Sequence, residues 1–130
     1  MLQQLSIRNY AIIDELEIRF HPQFNIITGE TGAGKSILVG ALGLVLGNRS
    51  DSSVLFEADA KCVVEASFAV TGNETIQQLL ADNELDEESM LIVRREIAAN
   101  GKSRSFINDT PVTLQVLRLF ASQKVTQSTC

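Results

Sequence analysis

Eight consecutive residues, Gly29-Glu30-Thr31-Gly32-Ala33-Gly34-Lys35-Ser36, satisfy the pattern G-x-x-x-x-G-K-[ST] of a phosphate-binding loop. The residue types follow from the chemistry. Glycines at 29, 32 and 34 let the backbone wrap closely around an anion, so that successive N–H groups point inward at it. Lys35 brings a point charge to the β- and γ-phosphates, and the Ser36 hydroxyl is placed to ligate Mg²⁺. Glu30, Thr31 and Ala33 occupy the variable positions and contribute backbone to the same loop. The pattern therefore predicts a site for a nucleoside triphosphate and its Mg²⁺, with Lys35 as the candidate catalytic residue and Ser36 as the candidate metal ligand.

Such a loop works only between a strand that delivers it and a helix that receives it. Phe24-Asn25-Ile26-Ile27-Thr28 is a short apolar, β-branched run directly before the loop, and Lys35–Leu46 reads as a helix that is apolar on nearly all sides, to be buried between layers. Gly47 fits its C-terminal stop, and 48–53 is a polar loop. Upstream, Leu2–Ile7 alternates weakly and Leu16–Phe20 cleanly, suggesting two antiparallel strands with Asp14 and Glu15 at the turn between them. Downstream, Val63–Val70 reads as a strand and Glu74–Ala81 as a short helix. Met90–Ile97 and Ser103–Ile107 read as a hairpin turning at Asn100-Gly101, and Thr113–Phe120 as a helix with Pro111 near its start. Two strands ahead of the loop strand point to an α/β fold: a P-loop core with an antiparallel β-layer beside it, as in ABC-type ATPase heads, an argument by analogy of fold.

A working P-loop ATPase also needs an acid at the end of an apolar strand to hold Mg²⁺ and a residue to orient the attacking water. Ala11-Ile12-Ile13-Asp14-Glu15 imitates such a strand but precedes the loop, an order that only a permuted fold allows. Phe106-Ile107-Asn108-Asp109 and Val54-Leu55-Phe56-Glu57 have too short an apolar lead. No N-K-x-D motif argues for guanine. The residues thus supply half of an active site.

The bulk properties narrow the class. A chain of 130 residues with 45% hydrophobic content is one globular domain by length, and a net charge of −5 argues against a generally basic, nucleic-acid-coating surface. The acids Asp82, Glu84, Asp86, Glu87 and Glu88 and the bases Arg94, Arg95, Lys102 and Arg104 read as two solvated faces. Cys62 and Cys130 have no second Cys or His at metal-ligand spacing, and His21 beside Pro22 reads as a surface turn. The N-terminus lacks a basic and apolar leader, and the apolar stretch Ile37–Leu46 is too short to span a bilayer, so the expectation is a cytoplasmic protein with no membrane partner.

Several linked segments carry a resemblance. Leu5–Ile18 and Phe24–Ser36 together resemble the start of the SMC-type ATPases, and within them the RecN family of bacterial DNA double-strand-break repair proteins, where Glu30-Thr31 inside the loop is characteristic. Ala41–Asp51 and Asn100–Leu114 match as well, so the likeness covers roughly residues 2–120. It implies the N-terminal lobe, residues 1–120, of an ABC/SMC-type head that is split in sequence by a long coiled coil. The C-terminal half of the same head would bring the signature motif, Walker B and the catalytic Glu. A second head would complete a homodimer around ATP and Mg²⁺, with Lys35 stabilising transition-state charge, and hydrolysis would be coupled to DNA and to recombinational repair at the nucleoid. It also implies that Arg49 lies near a loop whose arginine reaches nucleotide or DNA, and that Arg8 and Asn9 lie where related heads approach the phosphates.

The likeness stops after Phe120. Residues 121–130 read as a divergent tail, expected to be loosely ordered, and the chain lacks a heptad run, as a truncated head fragment would. Such a piece is expected to bind ATP weakly, to hydrolyse it negligibly, and to risk self-association through an unpaired edge. Two alternatives remain at this level: an independent small P-loop kinase or GTPase with Asp14 on the metal, or a non-catalytic P-loop module that self-associates.

Overall fold

Alternating apolar and polar residues build one sheet among the described residues. The computed structural model describes residues 2–19, 32–49, 52–85 and 89–122, with 32–36 and 52 described through their backbone. Six strands, β1 (Leu2–Tyr10), β2 (Ile13–Arg19), β3 (Cys62–Ala69), β4 (Met90–Ile97), β5 (Ser103–Ile107) and β6 (Thr110–Val112), form a sheet of order β2-β1-β3-β4-β5-β6. Every pairing among the described residues is antiparallel. This is the expected β-layer. The expected loop strand Phe24–Thr28, together with Gly29, Glu30 and Thr31, lies outside the described residues, as do His21, Asp86–Glu88 and residues 123–130 of the expected tail.

The inner face is set by phase. Cys62, Val64, Ala66 and Phe68 of β3 and Leu91, Val93, Arg95 and Ile97 of β4 are buried, while their neighbours in sequence are partly open. Three helices contribute to the core on that side: α1 (Gly32–Val45), α2 (Glu74–Asp82) and α3 (Leu114–Ala121). Ala41, Leu44 and Val45 of α1, Ile76 and Leu80 of α2, and Leu117 and Phe120 of α3 join the strand residues in one cluster. Each large apolar side chain fully withdrawn from water contributes about 1.5–3 kcal/mol, which is what holds α1 helical despite Gly40 and Gly43 in its interior. On its other side α1 is open at Val39, which is 70% exposed, so burial on nearly all sides is not what the described residues show.

Local chemistry explains the helix ends and turns. Asn73 caps α2 by accepting from the Ile76 N–H at 3.1 Å, and Thr113 caps α3 by accepting from the Val116 N–H at 3.2 Å. Gly47, at φ +105°, ends α1 in a Schellman motif: the Asn48 N–H reaches the Gly43 carbonyl at 2.9 Å and the Gly47 N–H the Leu44 carbonyl at 3.2 Å. The β4–β5 hairpin turns through Ala98–Gly101 with Gly101 at φ +87°, as the Asn-Gly signal predicts.

Three expectations are corrected. Asp14 and Glu15 are not the turn between the first two strands. They lie within β2, and Ala11-Ile12 make the turn, flanked by the Tyr10–Ile13 pair. Pro111 does not open α3. It sits in the three-residue edge strand β6, where its missing N–H costs no ladder bond to a further strand, and Asn108-Asp109, both at positive φ, make the tight β5–β6 turn. Arg95 does not belong to a solvated face. It is 1% exposed and points into the core.

Candidate functional site

The candidate site begins where α1 begins. The helix starts at Gly32, inside the phosphate-loop pattern, so Gly32, Ala33, Gly34, Lys35 and Ser36 form its first turn and a little more. The first N–H groups of a helix have no partner within it and carry the positive end of its dipole. No acidic residue stands in that turn, so the helix start offers unpaired backbone donors of the kind an anion can meet. A triphosphate with its Mg²⁺ fits this backbone arrangement.

The rest of α1 is held rigidly by the sheet. Tyr10, at the end of β1, lays its hydroxyl against Gly40 so closely that a Cβ there would collide with it. Partial burial pushes the Tyr10 pKa upward. At the C-terminal end, Arg95 of β4 donates through Nη1 to the carbonyls of Leu44 at 2.7 Å and Asn48 at 2.8 Å. Arg118 of α3 donates through Nε to the Gly47 carbonyl at 2.9 Å. Two cations thus satisfy the helix end where its dipole is negative. Burial, and then the nearby Arg118, push the Arg95 pKa down. Cys62, fully buried on β3, is pushed up to about 11, mainly by burial, and is a packed thiol rather than a nucleophile.

The structure separates the remaining candidate residues. Arg8 is exposed on the outer face of β1. Asn9 is buried, at φ +56°, and its side chain straps the segment after the short helical turn Ser52–Val54 onto β1. Its Nδ2 donates to the carbonyls of Glu57 at 3.0 Å and Ala60 at 2.9 Å, and its Oδ1 accepts from the Glu57 N–H. Both amide hydrogens are therefore committed to the fold. Arg49 is exposed just beyond the C-terminal end of α1. A helix of 14 residues is about 20 Å long, so Arg49 and the phosphate loop lie at opposite ends of α1.

The segments that imitate an acid-tipped strand take other roles. Asp14 and Glu15 are exposed on β2, which among the described residues is an edge strand paired with β1. Val54–Glu57 is the segment strapped by Asn9, and Asn108-Asp109 is the β5–β6 turn. Among the described residues no cluster of His, Cys, Asp and Glu could hold a metal ion, and no helix is long and apolar enough to cross a membrane. Motif reasoning missed Asn9 as a strap and Arg95 and Arg118 as anchors of α1. For Arg95 a signal existed, since it falls in the inward phase of Leu91, Val93 and Ile97.

Comparison with known proteins agrees with this geometry. Residues 1–129 match the family model described as RecF/RecN/SMC N terminal domain. The DNA repair protein RecN of Vibrio cholerae is 44% identical over 118 residues, covering 91% of this chain and 21% of that protein. RecN of Bacillus subtilis is 38% identical over 119 residues, again 91% of this chain and 21% of the relative. The chain therefore spans about a fifth of the length of these relatives. A structure from work on ATP-driven dimerization and DNA-stimulated activation of SMC ATPases superposes with a TM-score of 0.71 at 18% identity, covering 98% of this chain and 89% of that one. The SMC head domain of Thermotoga maritima gives 0.58 at 18% identity, covering 92% and 41%. These two structures show that the fold is that of an SMC head.

Proposed function

We propose that this chain, which belongs to the RecF/RecN/SMC N terminal domain family, is the nucleotide-binding lobe of an SMC-like ATPase head that acts in DNA double-strand-break repair. The observation that carries the reading is the coincidence of the pattern Gly29–Ser36 with the start of α1 at Gly32. Relatives that match 91% of this chain are named DNA repair proteins.

In this reading the backbone amides from Gly32 to Ser36 bind the triphosphate, joined by Gly29, Glu30 and Thr31 at the front of the loop. Lys35 neutralises the β- and γ-phosphates and the charge that builds on them, and the Ser36 hydroxyl ligates Mg²⁺. Bound Mg·ATP supplies the phosphoanhydride whose hydrolysis such heads use. Tyr10 against Gly40, and Arg95 with Arg118 at the far end, hold the body of α1 in place behind its first turn. Arg8 stays a candidate for approach to the nucleotide, Asn9 acts through the segment it straps down, and Arg49 belongs to a different contact from the one Lys35 makes. The lobe carries no Walker B acid and no catalytic Glu among its described residues, so the C-terminal half of the head and a second head complete the site. Location in the cytoplasm, at the nucleoid, follows from the same role.

The test is reconstitution. The chain, mixed with a polypeptide supplying the C-terminal half of a RecN head, is expected to turn over ATP in a Mg²⁺-dependent reaction that neither part performs alone and that Lys35→Ala abolishes. Turnover by this chain alone at the rate of the pair, or a stable pair with no turnover, would overturn the reading.

A further inference from the structure

The β4–β5 hairpin turns at Asn100-Gly101, and among the asparagines of the chain only Asn100 is followed by glycine. Asn100 is exposed, and it lines an open recess of about 390 Å³ with Lys61, Glu96, Ala98, Lys102 and Arg104. An asparagine side chain is a primary amide, so its carbonyl carbon is open to attack by the next backbone nitrogen. Glycine in the next position leaves that approach unhindered, because it carries no Cβ. The side chains of Asn9, Asn73, Asn83 and Asn108 are instead committed to bonds that fix strands or helix ends.

The turn adds to what the dipeptide offers. The Lys102 N–H donates to Asn100 Oδ1 at 3.0 Å. That donor polarises the side-chain carbonyl, and it stays in place for the negative oxygen that attack creates on the same atom. The recess contributes charge. Glu96 is shared between Lys61 Nζ at 3.5 Å and Arg94 Nε at 3.2 Å, while Lys102 and Arg104 make no ion pair among the described residues. The surplus of cations favours the anion that forms on the way to the product. One contact opposes the reaction. The Gly101 N–H donates to the Ala98 carbonyl at 2.9 Å and must leave it before the nitrogen attacks. A neutral hydrogen bond of this kind slows the step by about tenfold at most.

We infer that Asn100 is a self-modification site, where the folded hairpin, aided by the cations of its recess, converts this asparagine to isoaspartate and aspartate. Water is the one co-reactant. The Gly101 nitrogen gives up its proton and bonds to Asn100 Cγ. The bond from Cγ to the side-chain nitrogen breaks, and that nitrogen leaves as ammonia with the proton. Water then opens the cyclic imide at either of its two carbonyls, to isoaspartate or to aspartate, and nothing is oxidised or reduced. Each event makes the net charge of −5 one unit more negative and sets a carboxylate among Lys61, Lys102 and Arg104. Isoaspartate also lengthens the backbone by one carbon inside a turn closed by the Ala98 N–H on the Lys102 carbonyl at 2.8 Å. The end of the β4–β5 pairing must shift to accept it. The inference stands apart from the nucleotide-binding reading above and involves no phosphate-loop residue.

The test is incubation of the 130-residue chain at mildly alkaline pH, with circular dichroism showing that it stays folded. Charge separation and peptide mass mapping follow the conversion, and labelling by an isoaspartyl methyltransferase identifies the isoaspartate. A more acidic species is expected to accumulate, changed at Asn100 ahead of every other asparagine, and to be absent in Asn100→Gln. The double variant Lys61→Gln/Arg104→Gln is expected to slow conversion by about two- to fivefold, the scale of exposed charge interactions. Added salt should slow the parent in the same direction. Arg19→Gln, at the other end of the sheet, is expected to leave the rate unchanged. An intact Asn100, faster conversion at another asparagine, conversion only after unfolding in urea, or a rate indifferent to the cation variant would overturn the inference.

Discussion

Arg95 is the residue on which opposing physical effects meet most directly, and Arg95→Met resolves them. The guanidinium is 1% exposed, yet among the described residues no carboxylate faces it and its Nε and Nη2 have no hydrogen-bond partner. That burial is costly, by several kcal/mol for an ion without full compensation. Against it stand two charge-assisted bonds to the Leu44 and Asn48 carbonyls, each worth about 1.5–3 kcal/mol. A cation at a partly buried helix C-terminus adds up to ~2 kcal/mol. In the variant the Leu44 carbonyl keeps the Gly47 N–H at 3.2 Å, whereas the Asn48 carbonyl loses the Arg95 donor. Methionine fills the volume and removes the unpartnered nitrogens and the repulsion from Arg118. The balance comes to a destabilisation of about 2 kcal/mol, or a fall of roughly 8 °C in melting temperature for a chain of this size. Arg95→Lys, which keeps a donor and a charge, should fall in between. Urea and thermal denaturation of the three proteins measure this. An Arg95→Met chain as stable as the parent, or more so, would refute the claim that the anchor outweighs its burial.

Gly47→Ala should destabilise the chain by about 1–2 kcal/mol, because φ +105° strains any residue with a Cβ. That Cβ would also lie 2.5 Å from Arg118 Cγ. An unchanged melting temperature would contradict it. Asn9→Ala removes three hydrogen bonds that hold the segment 57–60 and should cost about 2–4 kcal/mol, with early proteolytic cleavage in that segment. Stability should also fall as pH rises from about 9 to 11, the interval over which the unfolded Cys62 thiol ionises and the folded one, pushed up to about 11, does not. The unfolded chain then binds fewer protons than the folded chain. Two pK units correspond to about 2.7 kcal/mol at most, and Cys62→Val should flatten that part of the profile in alkaline urea titrations.

Where chemistry is local, the residues announce it. The start of α1 is legible because the pattern Gly29–Ser36 calls for a helix behind it, and α1 begins at Gly32 within that pattern. Strands β3 and β4 are legible because Cys62–Ala69 and Met90–Ile97 alternate without interruption. Turn chemistry was harder to place. Asp14-Glu15 has the composition of a turn, but the chain reverses at Ala11-Ile12, where Ala11 takes φ +55° and its N–H bonds the Val54 carbonyl at 2.7 Å. That contact spans more than 40 residues, so no local signal carries it. Pro111 illustrates a shared signature, since proline suits both a helix start and an edge strand. Arg95 shows charge type misleading where phase was informative: its type suggested solvent, whereas its place between Val93 and Ile97 put it inside. The Asn9 strap depends on a long-range pairing that a lone asparagine cannot signal.

The central claim is that Gly29–Ser36 leads into a helix start prepared for a triphosphate. It is tested most directly by the melting temperature of the chain with Mg·ATP, beside Mg·GTP and Lys35→Ala. A preformed site gains about 2.7 kcal/mol at a ligand concentration one hundred times Kd, a rise of roughly 10 °C. The account predicts a rise with Mg·ATP that exceeds that with Mg·GTP and disappears in Lys35→Ala. No rise with either nucleotide, or an equal rise in Lys35→Ala, would contradict it.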